Sequence, residues 1–560
     1  MLPREVMDKN DQLSFFFFLS AVWLWLFALA SSSTDIGKFG LITVLPPTYF
    51  LAATLLIAAF LLKLKNHDPG NERLPAVYTL FLIFFLILTP PLIEGTPRLL
   101  RGFAMYEGVS QLLYHQEFDP AYYDYHRWPG LFLLISELAL LVGFEDPTFF
   151  LLLYPTAIWL AYSLPLYNAL RLLLDRSRLV WVALWLFYLG LWIDQEYFSP
   201  QSLGFFFFLL GCWFILVIAN KTAFYRHKII FGVLLAFVAL CTFLVHLLSF
   251  TALALCVFSI IGSKAVKVRT ASLRFTKLRI SLLKTSSSFF LVIFVVLITV
   301  LTIFYLFEAL GIQELLLGDT YWGERFRMEF LQPDKATTEA VETHLAAGSS
   351  EHSTLVSIRI LFVGIIAAMT LGGLIVSLRT AQQGARAIQL IFWIFGLSSL
   401  LLVMSYGTEM ILRVFMFSLL PLSALMAHLF DSKYLRSLLI LFFLLAVPFH
   451  ITSHYGNEYM DYVPASELRG IDFLYSHAIS NASVYEPSLE RWFSFRPFNH
   501  VDYQIGGSGI YYIIKQTSQR DHEFYLTANE HWNKWKTFAE RDSNLNMVYA
   551  NPSFWVYVRS

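Results

Sequence analysis

The sequence predicts a mostly α-helical, polytopic membrane protein of about thirteen spans, with a small extracytoplasmic α/β domain at its C-terminal end. Three observations lead there. Of 560 residues, 57% are hydrophobic and only 14% charged, whereas a soluble domain carries about 25% charged residues. Apolar runs of span length recur along most of the chain. Lysine and arginine gather in alternate connections between those runs, which is the pattern of cytoplasmic loops.

A bilayer core about 30 Å thick takes roughly 20 apolar residues per helix. Candidate spans are 13–31, 41–62, 75–93, 148–169, 179–195, 202–219, 229–248, 250–262, 288–311, 356–378, 388–405, 413–429 and 436–450. The first is long enough to span and lacks a small-residue cleavage site, so it reads as a helix rather than a removable signal. Residues 130–144 are apolar but short. The basic connections are Lys63 to Arg73, Arg171 to Arg178, Lys221 to Lys228, Lys264 to Lys284, Arg379 to Arg386 and Lys433 to Arg436. All of them fall on one side, with the N-terminus, only if 130–144 dips in and returns or lies at the interface. The N-terminus is then cytoplasmic and the tail from 451 outside.

The formal net charge is +0, so nothing in it points to nucleic acid; lipid contact is expected of the basic loops. Cys212, Cys241 and Cys256 lie in apolar runs and read as small core residues. Few charged residues fall near mid-span; Glu137 in the dipping helix and Glu308 near an outer end are the exceptions. An ion-coupled carrier would hold its site at the midplane. Polarity gathered at outer ends suits instead an enzyme acting on a lipid-anchored substrate.

The outer loop beginning at Glu94 is the richest segment. It carries Glu94, Arg98, Arg101, Glu107, His115, Glu117, Asp119, Asp124, His126 and Arg127 among Tyr106, Tyr114, Tyr122, Tyr123, Tyr125 and Trp128. Carboxylates suit general-base work on a hydroxyl, tyrosine and tryptophan suit sugar faces, and arginine suits phosphate. Each residue taken singly also fits an interfacial aromatic belt with solvated charges. In Asp194-Gln-Glu196-Tyr197-Phe-Ser199-Pro200-Gln201-Ser202 no basic residue occurs; Pro200 and its flanking serines predict a turn and a helix N-terminus able to meet a phosphate. Glu409 and Arg413 stand four apart and can pair, leaving Arg413 either structural or a phosphate ligand. His246 stands alone near an outer helix end.

The tail, 451–560, alternates like strands at Gly509 to Lys515 and like a hairpin at Asn546 to Arg559, turning at Asn-Pro-Ser. A helix is expected near Ala465 to Ser476. Asn481-Ala-Ser483 fits a glycosylation sequon, and nothing is built on it.

Glu94-Gly-Thr-Pro-Arg98, Tyr125-His-Arg-Trp-Pro-Gly130, Glu196-Tyr-Phe-Ser-Pro-Gln201 and Tyr406-Gly-Thr-Glu-Met-Ile-Leu-Arg413-Val-Phe-Met-Phe417 together resemble prokaryotic members of the GT-C glycosyltransferase superfamily. The likeness covers the chain from about residue 75, so 1–74 would be two added spans, 75–450 the GT-C-like core with its long outer loop 94–147, and 451–560 the outer domain. It implies transfer of a sugar from a polyprenyl-phosphate-type carrier to an acceptor hydroxyl of a glycan, lipid or protein at the outer face of the plasma membrane. By position, the resemblance makes Glu94 the first choice of base, with Asp119 or Glu117 as substitutes. The donor and its phosphate would meet Arg98, Glu196, Tyr197, Ser199, Gln201, His246, Tyr406, Glu409 and Arg413, and the sugar Tyr125, His126 and Trp128. Where related sequences place an Asp after the Pro-Arg pair, this chain has Leu100-Arg101-Gly102. No Asp-X-Asp motif occurs in the outer loops, so no divalent metal or other cofactor is implied. A lipid-linked glycan polymerase or ligase, a transporter, and a non-catalytic relative are the alternatives.

Overall fold

A computed structural model describes residues 9–65, 72–116, 124–143, 148–219, 225–272, 348–379, 381–403, 408–477, 483–485, 510–526 and 529–559. The helices are α1 (Lys9–Ser31), α2 (Pro47–Lys65), α3 (Arg73–Glu94), α4 (Leu100–His115), α5 (Gly130–Val142), α6 (Thr148–Leu173) and α7 (Ser177–Gly190). They continue with α8 (Pro200–Ala219), α9 (Tyr225–Val245), α10 (Leu247–Ser272), α11 (Ser350–Ser377), α12 (Ala381–Ser398), α13 (Thr408–Ala427) and α14 (Leu435–His454). Among the described residues nine helices are long and apolar enough to cross a membrane, and three further apolar helices are shorter, α5 among them. The predicted span 288–311 and Glu308 lie outside the described residues.

Two boundaries illustrate where the helices part from the hydropathy pattern. Helix α7 stops at Gly190, five residues before the expected end, where the polar segment around Asp194 begins. Helix α12 starts at Ala381, in the polar Gln382-Gln383 stretch, because helical hydrogen bonding does not require an apolar side chain.

Helix α3 shows how sequence bends the bundle toward the site. Pro90 and Pro91 supply no N–H to the carbonyls four residues earlier, and the turn before them, Phe84–Leu88, opens to π geometry. The Leu86 carbonyl, which Pro90 cannot serve, accepts the Tyr455 hydroxyl at 2.8 Å. The Phe85 carbonyl accepts Tyr49 at 3.1 Å and Thr89 at 2.6 Å. A proline pair in α3 thereby fastens the residue that follows α14. The same residue is held from behind, where Leu41 donates to the Tyr455 carbonyl at 3.0 Å. Gly40, with φ +73°, lies so close that any Cβ would collide with that carbonyl.

The C-terminal part is a four-stranded sheet in the order β1-β2-β4-β3, made of Ser483–Tyr485, Ile510–Lys515, Phe554–Arg559 and Leu545–Asn551 respectively. β1 and β2 are parallel, and the other two pairings antiparallel. The period-two alternation of β2 is read out in packing. Tyr511 and Ile513 face α15 (Ala465–His477) through Ile471 and Leu474, while Tyr512 and Ile514 face α16 (Asn529–Arg541) through Trp532 and Ala539. The hairpin turns at Pro552 and Ser553, where Ser553 N–H donates to the Asn551 side chain at 2.9 Å.

Candidate functional site

Three segments far apart in sequence meet where α3, α7 and α14 end. Arg98 is the hub, its side chain 7% exposed. Its Nε donates to the Glu458 carboxylate at 2.9 and 2.8 Å. Its Nη1 reaches Asp194 Oδ1 at 3.0 Å and Glu196 Oε1 at 3.1 Å, and its plane lies 4.5 Å from the Tyr455 ring centroid. A guanidinium removed from water is tolerable only when its fork is filled in this manner. Leu99, the next residue, holds φ at +65°, an uncommon value for a side chain larger than glycine. Its N–H donates to the Asp461 carbonyl at 3.2 Å. Thr96 donates to the Val463 carbonyl at 2.8 Å. The strand of chain carrying Arg98 is thus laced to the segment 458–463 on both sides.

His454, 1% exposed, brings Nε2 within 2.7 Å of Glu196 Oε1 and 3.7 Å of Asp194 Oδ1. Burial alone would raise the Asp194 carboxyl, but Arg98 and His454 outweigh it and hold the group below its ordinary range. Glu458 goes the other way: burial, only partly offset by Arg98, lifts it. Asp461 is lifted well above its usual value by burial and by the charges of Asp194 and Glu458. Its carboxyl is half-buried and meets no hydrogen-bond or ion-pair partner among the described residues. Glu94, 5% exposed, receives no N–H or hydroxyl on either oxygen among the described residues. The charges of Glu458 and Arg98 both act on it.

Asp194, Glu196 and His454 each offer a ligand atom, all within 4.8 Å of one another. The donor types would suit a divalent ion. Arg98 Nη1, however, already contacts the two carboxylate oxygens such an ion would use. A cation here would have to take the place of that arm.

The other expected residues fall in different places. Glu117, Asp119 and Tyr406 lie outside the described residues; Tyr125 is in the 3-10 turn Asp124–Arg127. Arg98 and Glu196, expected to meet phosphate, face each other, since three carboxylates around the guanidinium exclude an anion. His126, expected against a sugar, is buried: its ring edge meets Phe132 and Nε2 lies 3.2 Å from the Gly108 carbonyl. Trp128 is half-buried, with no acceptor for its N–H among the described residues. Ser199 caps α8, its hydroxyl accepting Ser202 N–H at 3.3 Å ahead of Pro200. Gln201 is buried with its amide nitrogen unpartnered, and Tyr197 packs half-buried on the core. Glu409 and Arg413 pair as their spacing predicts, at 2.9 Å. His246 bonds to Ser249 at 2.8 Å; burial, then the nearby Arg413 charge, lower it to about 3, so the ring is neutral.

Glu458, Asp461, His454 and Arg359 escaped the sequence reading. A signal existed for the first two: Glu458-Tyr-Met-Asp461 sits directly after a span, at the end where the other acids gather.

No family model and no curated protein matches the chain. Solved structures similar to it include two of the Archaeoglobus fulgidus oligosaccharyltransferase. One is a complex with Zn and sulfate, the other is tethered through a disulfide to an acceptor peptide containing the NVT sequon. Identity is 14% and the TM-score 0.41 in each case, over 77% of this chain and 55% or 57% of theirs. The chain thus spans little more than half the length of those structures.

Proposed function

We propose that this protein is a membrane-embedded glycosyltransferase that moves a sugar from a polyprenyl-phosphate-type carrier to an acceptor hydroxyl at the outer face. The observation that carries this is the cluster of carboxyls around Arg98, at the end of the bundle from which the α/β domain emerges. Arg176, Arg178, Arg386 and Arg436 mark the opposite end, which the positive-inside rule makes cytoplasmic. The resemblance in Glu94 to Arg98, Glu196 to Gln201 and Glu409 to Phe417 supports the same chemistry.

In this reaction a carboxylate takes the proton of the acceptor hydroxyl as its oxygen bonds to the anomeric carbon. The bond from that carbon to the phosphate oxygen breaks, and the phosphate leaves on its lipid as an anion. Glu94 and Asp461 are the two carboxyls of the cluster without an ion-pair partner. Asp461 is the one open to solvent, and an elevated pKa suits a base working near neutral pH.

Reconstituted protein offered a radiolabelled polyprenyl-phosphate sugar tests the proposal. Glu94→Gln and Asp461→Asn should separate the two carboxyls, the true base losing about 10²–10⁴ in rate. Full activity in both variants removes the base from this cluster. Turnover only with a lipid-linked oligosaccharide would make the protein a ligase or polymerase.

A second reading has one observation in its favour. Arg98, Thr96 and Leu99 all bind 458–463, so the cluster also serves as a clamp for the outer domain. A non-catalytic protein would keep the clamp and show no transfer with any lipid-linked donor.

A further inference from the structure

Arg98 fills its fork with protein carboxylates, whereas Arg359 on α11 does not. Arg359 Nε donates to the Ser453 carbonyl at 2.9 Å, and its guanidinium carbon lies 5.9 Å from the Trp192 ring centroid. Neither Nη nitrogen meets an acceptor among the described residues, and no carboxylate reaches ion-pair distance. Asp194 and Asp461 act on it only from further away. The side chain is half-buried. Trp192 beside it is 4% exposed, and its indole N–H is likewise without an acceptor.

Two separate segments therefore bring hydrogen-bond donors to one place and no acceptor to match. A partly desolvated guanidinium and a buried indole N–H are both costly until paired. A planar fork is best matched by two oxygens of one oxyanion, and the indole adds a third donor. Helix packing sets the height. A Cβ on Gly190 would meet both Leu419 and Ile366, and one on Gly373 would collide with the Leu425 carbonyl, so α11 and α13 run side by side in one direction. Counting back seven residues from each of Ile366 and Leu419 brings Arg359 level with the turn of α13 that carries Arg413. The Trp192 ring bridges the two helices, 6.1 Å from Phe415.

We infer that Arg359 and the Trp192 indole form a binding site for a phosphate-bearing ligand, beside the Arg98 cluster and distinct from it. Under the glycosyltransferase proposal, on which the identity of the ligand rests, that phosphate is the leaving group of the lipid-linked donor.

The test is binding to the full chain in detergent, with polyprenyl phosphate, inorganic phosphate and phosphatidylglycerol as separate probes. Arg359→Gln should weaken polyprenyl-phosphate binding about 10–100-fold, the worth of one charge-assisted pair. Arg359→Lys should recover part of it, and Trp192→Phe, which removes only the N–H, should cost about 3–10-fold. Arg176→Gln at the opposite end should change nothing. Competition by inorganic phosphate supports a site for the phosphate group alone; binding of polyprenyl phosphate without such competition supports one that also needs the lipid chain. Binding of phosphatidylglycerol with equal strength, or unchanged polyprenyl-phosphate binding in Arg359→Gln, Arg359→Lys and Trp192→Phe at unchanged melting temperature, overturns the site. Sugar transfer measured on the same preparations separates the two ideas. Binding through Arg359 without transfer defeats the enzyme proposal alone, and transfer unaffected by these variants defeats the site alone.

Discussion

The two ends of α14 carry inverted versions of one ionic motif. After its C-terminus, one arginine, Arg98, holds three acids, and the side chains of Arg98, Glu196 and Glu458 are at most 7% exposed. Before its N-terminus, one acid, Asp431, holds two arginines, Arg176 and Arg178, which are 51% and 36% exposed. A helix of 20 residues separates them by about 30 Å. The difference lies in water. At the Asp431 end solvent screens the charges and the pairs contribute little. At the Arg98 end the charges have left water, so the full set of partners is needed to hold any one of them.

The sharpest break of that comparison is Arg98→Gln. It leaves buried carboxyls without their counter-charge and should cost about 3–5 kcal/mol, read as a large fall in detergent melting temperature or loss of folded protein. Tyr455→Phe comes next. It strips the hydroxyl from the Leu86 carbonyl, leaving a buried acceptor unserved, for about 1–3 kcal/mol. A melting curve within error of wild type would show that the carbonyl finds another donor.

Acidity sharpens the contrast further. Asp461 and Glu458 are raised in the folded state, so they bind protons more tightly there than when unfolded. Their favourable contribution is full below their ordinary values of 3.8 and 4.5 and is lost as pH rises through the raised values. Asp194 is lowered; its contribution is present above 3.8 and lost as pH falls through the folded value. Asp461→Asn should therefore flatten the melting profile above about pH 4 and stabilise the protein once pH passes the raised folded value. A variant less stable than wild type throughout the alkaline range would contradict this assignment. The smallest effect belongs to the far end: Arg176→Gln should cost under about 1 kcal/mol and still less in high salt.

Local signals were readable wherever the physics is local. Span length, the shortness of 130–142, the serine cap before Pro200, the Glu409–Arg413 pair and the hairpin at Pro552 each depend on neighbours within a few residues. The charge pattern of the loops also assigned Glu94, Arg98 and Glu196 to a common face, and the structure does bring these three together. Their roles were not readable. Arg98 was expected to meet a ligand, but its acids come from 96, 98 and 360 positions away. His454 fell in the outer tail, past the expected span 436–450, and Arg359 read as one charge within the span 356–378.

The sequence by itself determined that the chain is a helical membrane bundle with an α/β tail, because apolar length and charge bias act one segment at a time. Only the tertiary structure decided which arginine is locked and which is open. That depends on how many carboxylates the packed helix ends deliver to each guanidinium: among the described residues, three to Arg98 and none within ion-pair reach of Arg359.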